Sequence, residues 1–412
     1  MRSATARDTS PGTTMPSVQA RQIRLVRPLR PRDPTEEHRA ATPLELFTDL
    51  CFVVAVAQAA ASFHHEISDG AVFEGTIYFA MSFWAIFWAW LNFTWFASAY
   101  DNDDVTYRCL TLLQIAGSLV IAAGIPQAFD GDFTLVVIGY IIMRIALVVL
   151  WLRAGRNDPP RRTTAYRYAG GIVIVQCYWV AFLFLPTEIA LVGFVVGFVA
   201  EMAVPAFAER AAGTPWHPEH VAERYSCFFI IVLGETILSS TVAIQSSIDA
   251  GTAASELTET IVGGILIVFS LWWLYFSRDD SEVLRGRSDA ANMAWGFGHY
   301  FIFAAAAAIG AALAARVDHY TNHSAVDDLA SAYALAVPIA ILLCGLYVLR
   351  LRQHDRSRRT AVPLFVAVIA VLVAALLPLP EIVIGLILAV LVAIEVLNPE
   401  GVGDQYAEAS TD

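Results

Sequence analysis

The chain has 412 residues, of which 57% are hydrophobic and only 16% charged. That balance excludes an ordinary soluble domain, in which about a quarter of residues are charged. The net charge of −12 gives no reason to expect a nucleic-acid partner, and the five cysteines show no CxxC spacing that would signal a disulfide framework or a zinc site.

Residues 1–42 are rich in Arg, Thr and Pro and lack an apolar core. They read as a disordered cytoplasmic tail, not a signal peptide. From residue 43 onward, apolar runs recur, centred near residues 53, 86, 117, 143, 177, 197, 233, 267, 304, 339, 369 and 389. Each is long enough to cross a hydrocarbon core of about 30 Å as a helix. Lipid requires every backbone polar group to be satisfied internally, so the expected fold is an all-α polytopic membrane helix bundle of about twelve spans. The basic residues are all Arg. With the N-terminus inside, nearly all fall on the cytoplasmic side; Arg316 falls outside and Arg144 within a span. This positive-inside pattern predicts twelve spans with both termini cytoplasmic.

The chain also reads as a duplication. "ELFTDLCFVVAVA" (Glu45–Ala57) parallels "ERYSCFFIIVLGE" (Glu223–Glu235), and "WLNFTWFASAYDNDD" (Trp90–Asp104) parallels "LWWLYFSRDD" (Leu271–Asp280). "LLQIAGSLVIAAGI" (Leu112–Ile125) parallels "GFGHYFIFAAAAAIG" (Gly296–Gly310), and the segment Leu185–Pro205 parallels Leu379–Pro399. The expected organisation is two parallel six-helix repeats over 43–207 and 208–399, followed by a short tail over 400–412. An even number of helices per unit puts the repeat axis along the membrane normal.

Glu45 and Asp49 stand four residues apart at the start of the first span, on one helix face. Glu45 suits the first turn, whereas Asp49 lies more than a turn further in. Charges inside spans are costly and usually functional, so Asp49, Arg144, Glu201 and Glu235 are candidate pathway residues, with Gln114 and His299 at matching positions of spans 3 and 9. The expectation is one polar cluster in the cytoplasmic half, with Arg144 beside Glu201 or Asp49; the alternative is a structural pair that fixes helix register. Glu223 and Arg224 are expected at the interface. Gly234, next to Glu235, is expected to admit close helix approach. The aromatic run Phe83–Phe96 reads as lipid-facing or core packing, and the acidic stretch ending at Asp104 as a solvated loop. No P-loop, GxSxG, HExxH or dinucleotide fingerprint occurs, so no enzyme activity, cofactor or metal is expected.

At these residues the sequence resembles the bacterial low temperature requirement A family. The stretches that carry the resemblance are "TPLELFTDLCFVVAVAQ", "TWFASAYDNDDVTYRCLTLLQIAG", "HVAERYSCFFIIVLGETIL", "LWWLYF" and "GHYFIFAAAAAIG". The positions carried over as family motif are Glu45, Asp49, Asp104, Glu223, Arg224, Gly234 and Glu235. The resemblance implies a multi-span inner-membrane protein and assigns no reaction. "FTDLCFVVAVA" is also similar to the FSD signature of a potassium channel family built from six-helix repeats, although Tyr225–Cys227 in the second half lacks the signature's Asp. Three functions are therefore open: a secondary transporter or ion-coupled permease moving a small solute or ion, a cation channel, and a non-transporting membrane scaffold. The partners expected are the lipid bilayer and that solute or ion; oligomeric state is left open.

Overall fold

The computed structural model describes residues 25–36, 39–249, 251–252, 257–355 and 357–397. Most of the expected tail (1–24) and the C-terminal segment 400–412 lie outside the described residues. Each expected apolar run coincides with a helix: α1 (Pro43–Ser68), α2 (Val72–Tyr100), α3 (Val105–Phe129), α4 (Thr134–Asn157), α5 (Arg162–Phe182) and α6 (Thr187–Ala208) in the first half. The second half contains α7 (Pro218–Asp249), α8 (Thr258–Phe276), the short α9 (Ser281–Arg285), α10 (Asp289–Tyr320), α11 (Asp328–Leu346), the one-turn α12 (Arg352–His354), α13 (Arg358–Ala374) and α14 (Pro380–Leu397). Among the described residues ten helices are long and apolar enough to cross a membrane, with α11 and α12 counted as one. Helix α5, long enough at 21 residues, falls short in apolarity and α13, at 17 residues, in length, but both stand in the same bundle.

Local chemistry sets the helix starts. Thr42 caps α1, Pro43 occupies its first turn, and the Glu45 carboxylate reaches back to the Thr42 N–H at 2.7 Å, completing a capping box. Asp104 caps α3 by accepting the Tyr107 N–H at 2.6 Å. Ser288 and Asp327 do the same for α10 and α11. Between α11 and α12 the chain makes a π turn over Tyr347–Leu351. Such turns recur where a side chain is aimed at a special site; here it carries Arg350.

The order of helix neighbours recurs in the two halves. In the first, α1 packs on α2 and α3, α3 on α4, α4 on α5 and α5 on α6; in the second, α7 packs on α8 and α10, α10 on α11, α11 on α13 and α13 on α14. A charged pair recurs with it. Asp104, just after α2, holds Arg153 near the end of α4 at 2.6 Å, and Asp280, just after α8, holds Arg350 beyond α11 at 2.6 Å. The match is partial, because α8 packs closely on α14 whereas α2 makes no comparably close packing with α6. The halves meet where α1 and α2 lie against α7 and α10.

At the Arg-rich end, part of the expected tail is laid against the bundle. Leu29 is fully buried, the Arg32 N–H donates to the Ala99 carbonyl at 2.9 Å, and the Arg39 guanidinium caps the carbonyls of Ala97 and Ser98. The acidic loop 101–104 is likewise no solvated cluster: Asp104 is buried and accepts the Arg27 N–H at 2.7 Å as well as its helix cap and Arg153. The run Phe83–Phe96 forms core, with Phe83, Phe87, Trp88, Trp90, Phe93 and Phe96 all buried.

Candidate functional site

The candidate residues do not form the single cluster expected from their depth. The four charged ones, Asp49, Arg144, Glu201 and Glu235, occupy three places. The first lies between α1 and α7. Arg224 donates to both Asp49 oxygens, from Nε at 2.9 Å and from Nη2 at 2.6 Å, and Trp90 Nε1 donates to Asp49 Oδ1 at 2.7 Å. His220 Nε2 lies 3.2 Å from Glu45 Oε2, and Arg224 Nη1 lies 3.6 Å from Glu45 Oε1. All are buried. Arg224 is thus not an interfacial residue. The loop 209–217 and residues 39–42 cover the first turns of α7, and Glu223 points the other way, accepting the Ala41 N–H at 3.0 Å. Glu45 therefore serves both as helix cap and as the outer wall of this ion network.

The second place joins α4 to α6. Arg144 Nη2 lies 3.3 Å from Glu201 Oε2, as one of the two expected pairings has it. Glu201 also accepts the indole N–H groups of Trp88 (2.8 Å) and Trp179 (3.2 Å). A cavity of about 270 Å³ opens above Trp88 toward the Arg-rich end, between α2, α6 and α10 and under the loop 209–217. Two carboxyls near this end titrate abnormally. Burial, with Glu45 nearby, pushes Asp101 up to about 6. Burial also raises Glu209, in spite of hydrogen bonds from Tyr168 and Thr214. Asp280 behaves oppositely: burial opposes its charge, but Arg350 and His354 hold its carboxyl below the usual range.

The third place is at the other end. A cavity of about 630 Å³ lies between α1, α7 and α10, lined by His64, His65, Asp318 and the serines of α7, with Glu235 in its wall. Glu235 accepts only the Ser239 hydroxyl, at 2.8 Å, and among the described residues no cation pairs with it. His64 Nε2 is 2.6 Å from Asp318 Oδ2 nearer the mouth. Gly234 admits no close neighbour: a Cβ there would meet nothing within 4 Å, which corrects the close-approach reading.

Between the two cavities lies a layer of packed rings. Trp90 stacks on Phe228 with centroids 4.3 Å apart and meets Tyr225 at 4.9 Å; Phe228 meets Phe303 at 5.2 Å and Tyr225 meets His299 at 5.0 Å. His299 belongs to this layer, its Nδ1 2.8 Å from the Trp295 carbonyl oxygen. Gln114, the position matched to it from the sequence, is buried on α3, and its Nε2 finds no partner among the described residues.

Sequence reasoning missed Arg316. It is fully buried near the end of α10, holding Glu381 of α14 at 2.5 Å and Asp328 at 2.7 Å. By sequence it falls on the outer side and is not among the candidates. The signal against that was the absence of any other Arg on that side.

The profile of the bacterial low temperature requirement A protein (LtrA) family matches residues 40–396. The chain belongs to the LtrA family. All three places lie within that matched region. This LtrA-family chain is also similar to an uncharacterized protein, RA0937, of Rhizobium meliloti (strain 1021), at 26% identity over 283 residues, which cover 65% of this chain and 67% of the relative. No solved structure matches the chain.

Proposed function

We propose that this LtrA-family protein is an ion-coupled secondary transporter of the bacterial inner membrane in which Glu235 carries the coupling ion. The observation that supports it is the setting of Glu235: an intramembrane carboxylate with no cation partner among the described residues, in the wall of a cavity lined by histidines, serines and Asp318. A structural carboxylate would be paired, as Asp49, Glu201 and Glu381 are. An unpaired one at this depth is costly unless a proton or cation visits it. A second cavity opens at the opposite end, and none of its lining residues is shared with the first. Arg224 and Glu235 stand eleven residues apart on α7, roughly 16 Å at 1.5 Å per residue. A cavity at each end with packed rings in the bundle between them is compatible with alternating access. The Arg-rich end is the cytoplasmic one on this reading, and the Glu235 cavity faces outward.

A cation channel would need a continuous polar path, and buried rings fill the centre. A scaffold would leave no reason for an unpaired Glu235. The test is reconstitution of the full chain in liposomes loaded with a small-molecule extract of cytoplasm, with internal pH recorded after an imposed pH step. A saturable proton flux that depends on the extract supports the transporter. Flux without extract supports a channel, and no flux in either case supports a scaffold.

A further inference from the structure

We infer that the cavity at the Arg-rich end is a binding site for a small organic cation bearing a methylated ammonium group. Seven of its eighteen lining residues are aromatic, among them Trp88, Trp95, Trp151, Tyr168, Trp216 and Phe297. These come from α2, α4, α5, α10 and the loop 209–217, so no single packing need explains their convergence. Trp95 and Trp216 meet at 5.0 Å, and Trp151 stacks on Tyr168 at 4.1 Å. Such faces carry partial negative charge and hold ammonium groups whose methyls exclude water.

The charges at the mouth agree with a cation. Two carboxylates converge on Gly213, where a Cβ would stand 3.7 Å from Asp289 Oδ2 and 3.8 Å from Glu209 Oε2. Asp289 is exposed and has no partner among the described residues. Among the described residues the sole lining cation, Arg161, is occupied: its Nε donates to the Gly213 carbonyl at 2.8 Å and its Nη1 lies 3.3 Å from Asp158. An anion entering would therefore meet two carboxylates and a neutralised guanidinium. The volume, about 270 Å³, is near the lower end for ligand pockets, roughly 300 Å³. The deep wall, Trp88, donates to Glu201, so an occupant would sit one residue from the Arg144–Glu201 pair.

The inference rests on the transport reading only in making this cation the cargo; binding itself is separate. The probe is choline, titrated calorimetrically into the purified full chain in detergent. It is compared with its neutral isostere 3,3-dimethylbutan-1-ol and the anion 3,3-dimethylbutanoate. Choline is expected to bind at least about tenfold tighter than the neutral isostere, a difference of ~1.4 kcal/mol. Trp216→Ala should weaken choline about fivefold or more at unchanged melting temperature, and Asp289→Asn should weaken choline while sparing the neutral compound. Equal binding of choline and the isostere, tightest binding of the anion, or no choline binding overturns the site. Choline binding without flux in the liposome experiment would sink the transport reading alone, and flux without choline binding would sink the site alone.

Discussion

Arg224 of α7 clamps Asp49 of α1 through two hydrogen bonds, of 2.9 and 2.6 Å, with both side chains fully buried. The pair ties the first helices of the two halves together at the Arg-rich end. Removing one partner strands a buried charge, at a cost of about 3–5 kcal/mol. Asp49→Asn should therefore lower the melting temperature of the detergent-purified chain sharply. The double variant Asp49→Asn with Arg224→Gln should recover part of the loss, because both charges go. If the double variant melts no higher than the single one, the clamp is not what holds these helices.

Two glycines make a matched test of helix packing. A Cβ at Gly139 of α4 would stand 2.7 Å from the Gly117 carbonyl oxygen and 2.7 Å from the Ile121 nitrogen of α3, so α3 and α4 would have to part. Gly139→Ala should destabilise by about 1–3 kcal/mol. Gly234→Ala meets open space and should be neutral or stabilising by up to ~1 kcal/mol through helix propensity. Thermal unfolding of both variants in one detergent checks the contrast.

Asp101 gives a pH dependence with a defined sign. Its carboxyl is raised from 3.8 to about 6 by burial and by Glu45 nearby. The folded state thus holds its proton more tightly than the unfolded chain, and this contribution to stability is lost as pH rises from about 4 through 6. Asp104 and Asp280, held low, act oppositely and lose their contribution only as pH falls toward 4 and below. Asp101→Asn should raise stability at pH 7 by of order 1–3 kcal/mol and by much less at pH 4. Melting curves of wild type and variant at the two pH values measure the difference directly.

Much of the fold was legible because hydropathy alone marks where lipid-compatible helices begin and end. The Arg144–Glu201 pair was legible too, since a buried charge at that depth needs an opposite one. What periodicity cannot show is which loop folds over which helix end. Arg224 looked interfacial beside Glu223, yet residues 39–42 and 209–217 bury the start of α7 and send the two side chains to opposite sides. Asp49, Glu201 and Glu235 looked like one cluster by depth. Glu201 stands apart because α6 packs on α5, and Glu235 because it lies eleven residues, roughly 16 Å, further along α7 than the Arg224 that holds Asp49.

The orientation is open to labelling. In a cysteine-free background, a Cys at His323, in the exposed turn after α10, should react with a membrane-impermeant maleimide added outside intact cells. A Cys at Arg210, just past α6, should react only after the cells are opened. The reverse pattern would invert the assignment of the two cavities.

The central claim is that Glu235 carries the coupling ion, and one comparison tests it most directly. Wild type and Glu235→Gln are reconstituted in liposomes, and pH-driven net flux is measured beside solute-for-solute exchange in the absence of a pH gradient. The variant keeps the shape of the side chain and the Ser239 contact site while removing the titratable group. The account predicts that the variant exchanges solute at a rate near that of wild type but no longer responds to the pH gradient. Undiminished pH-driven flux in the Glu235→Gln protein would contradict it.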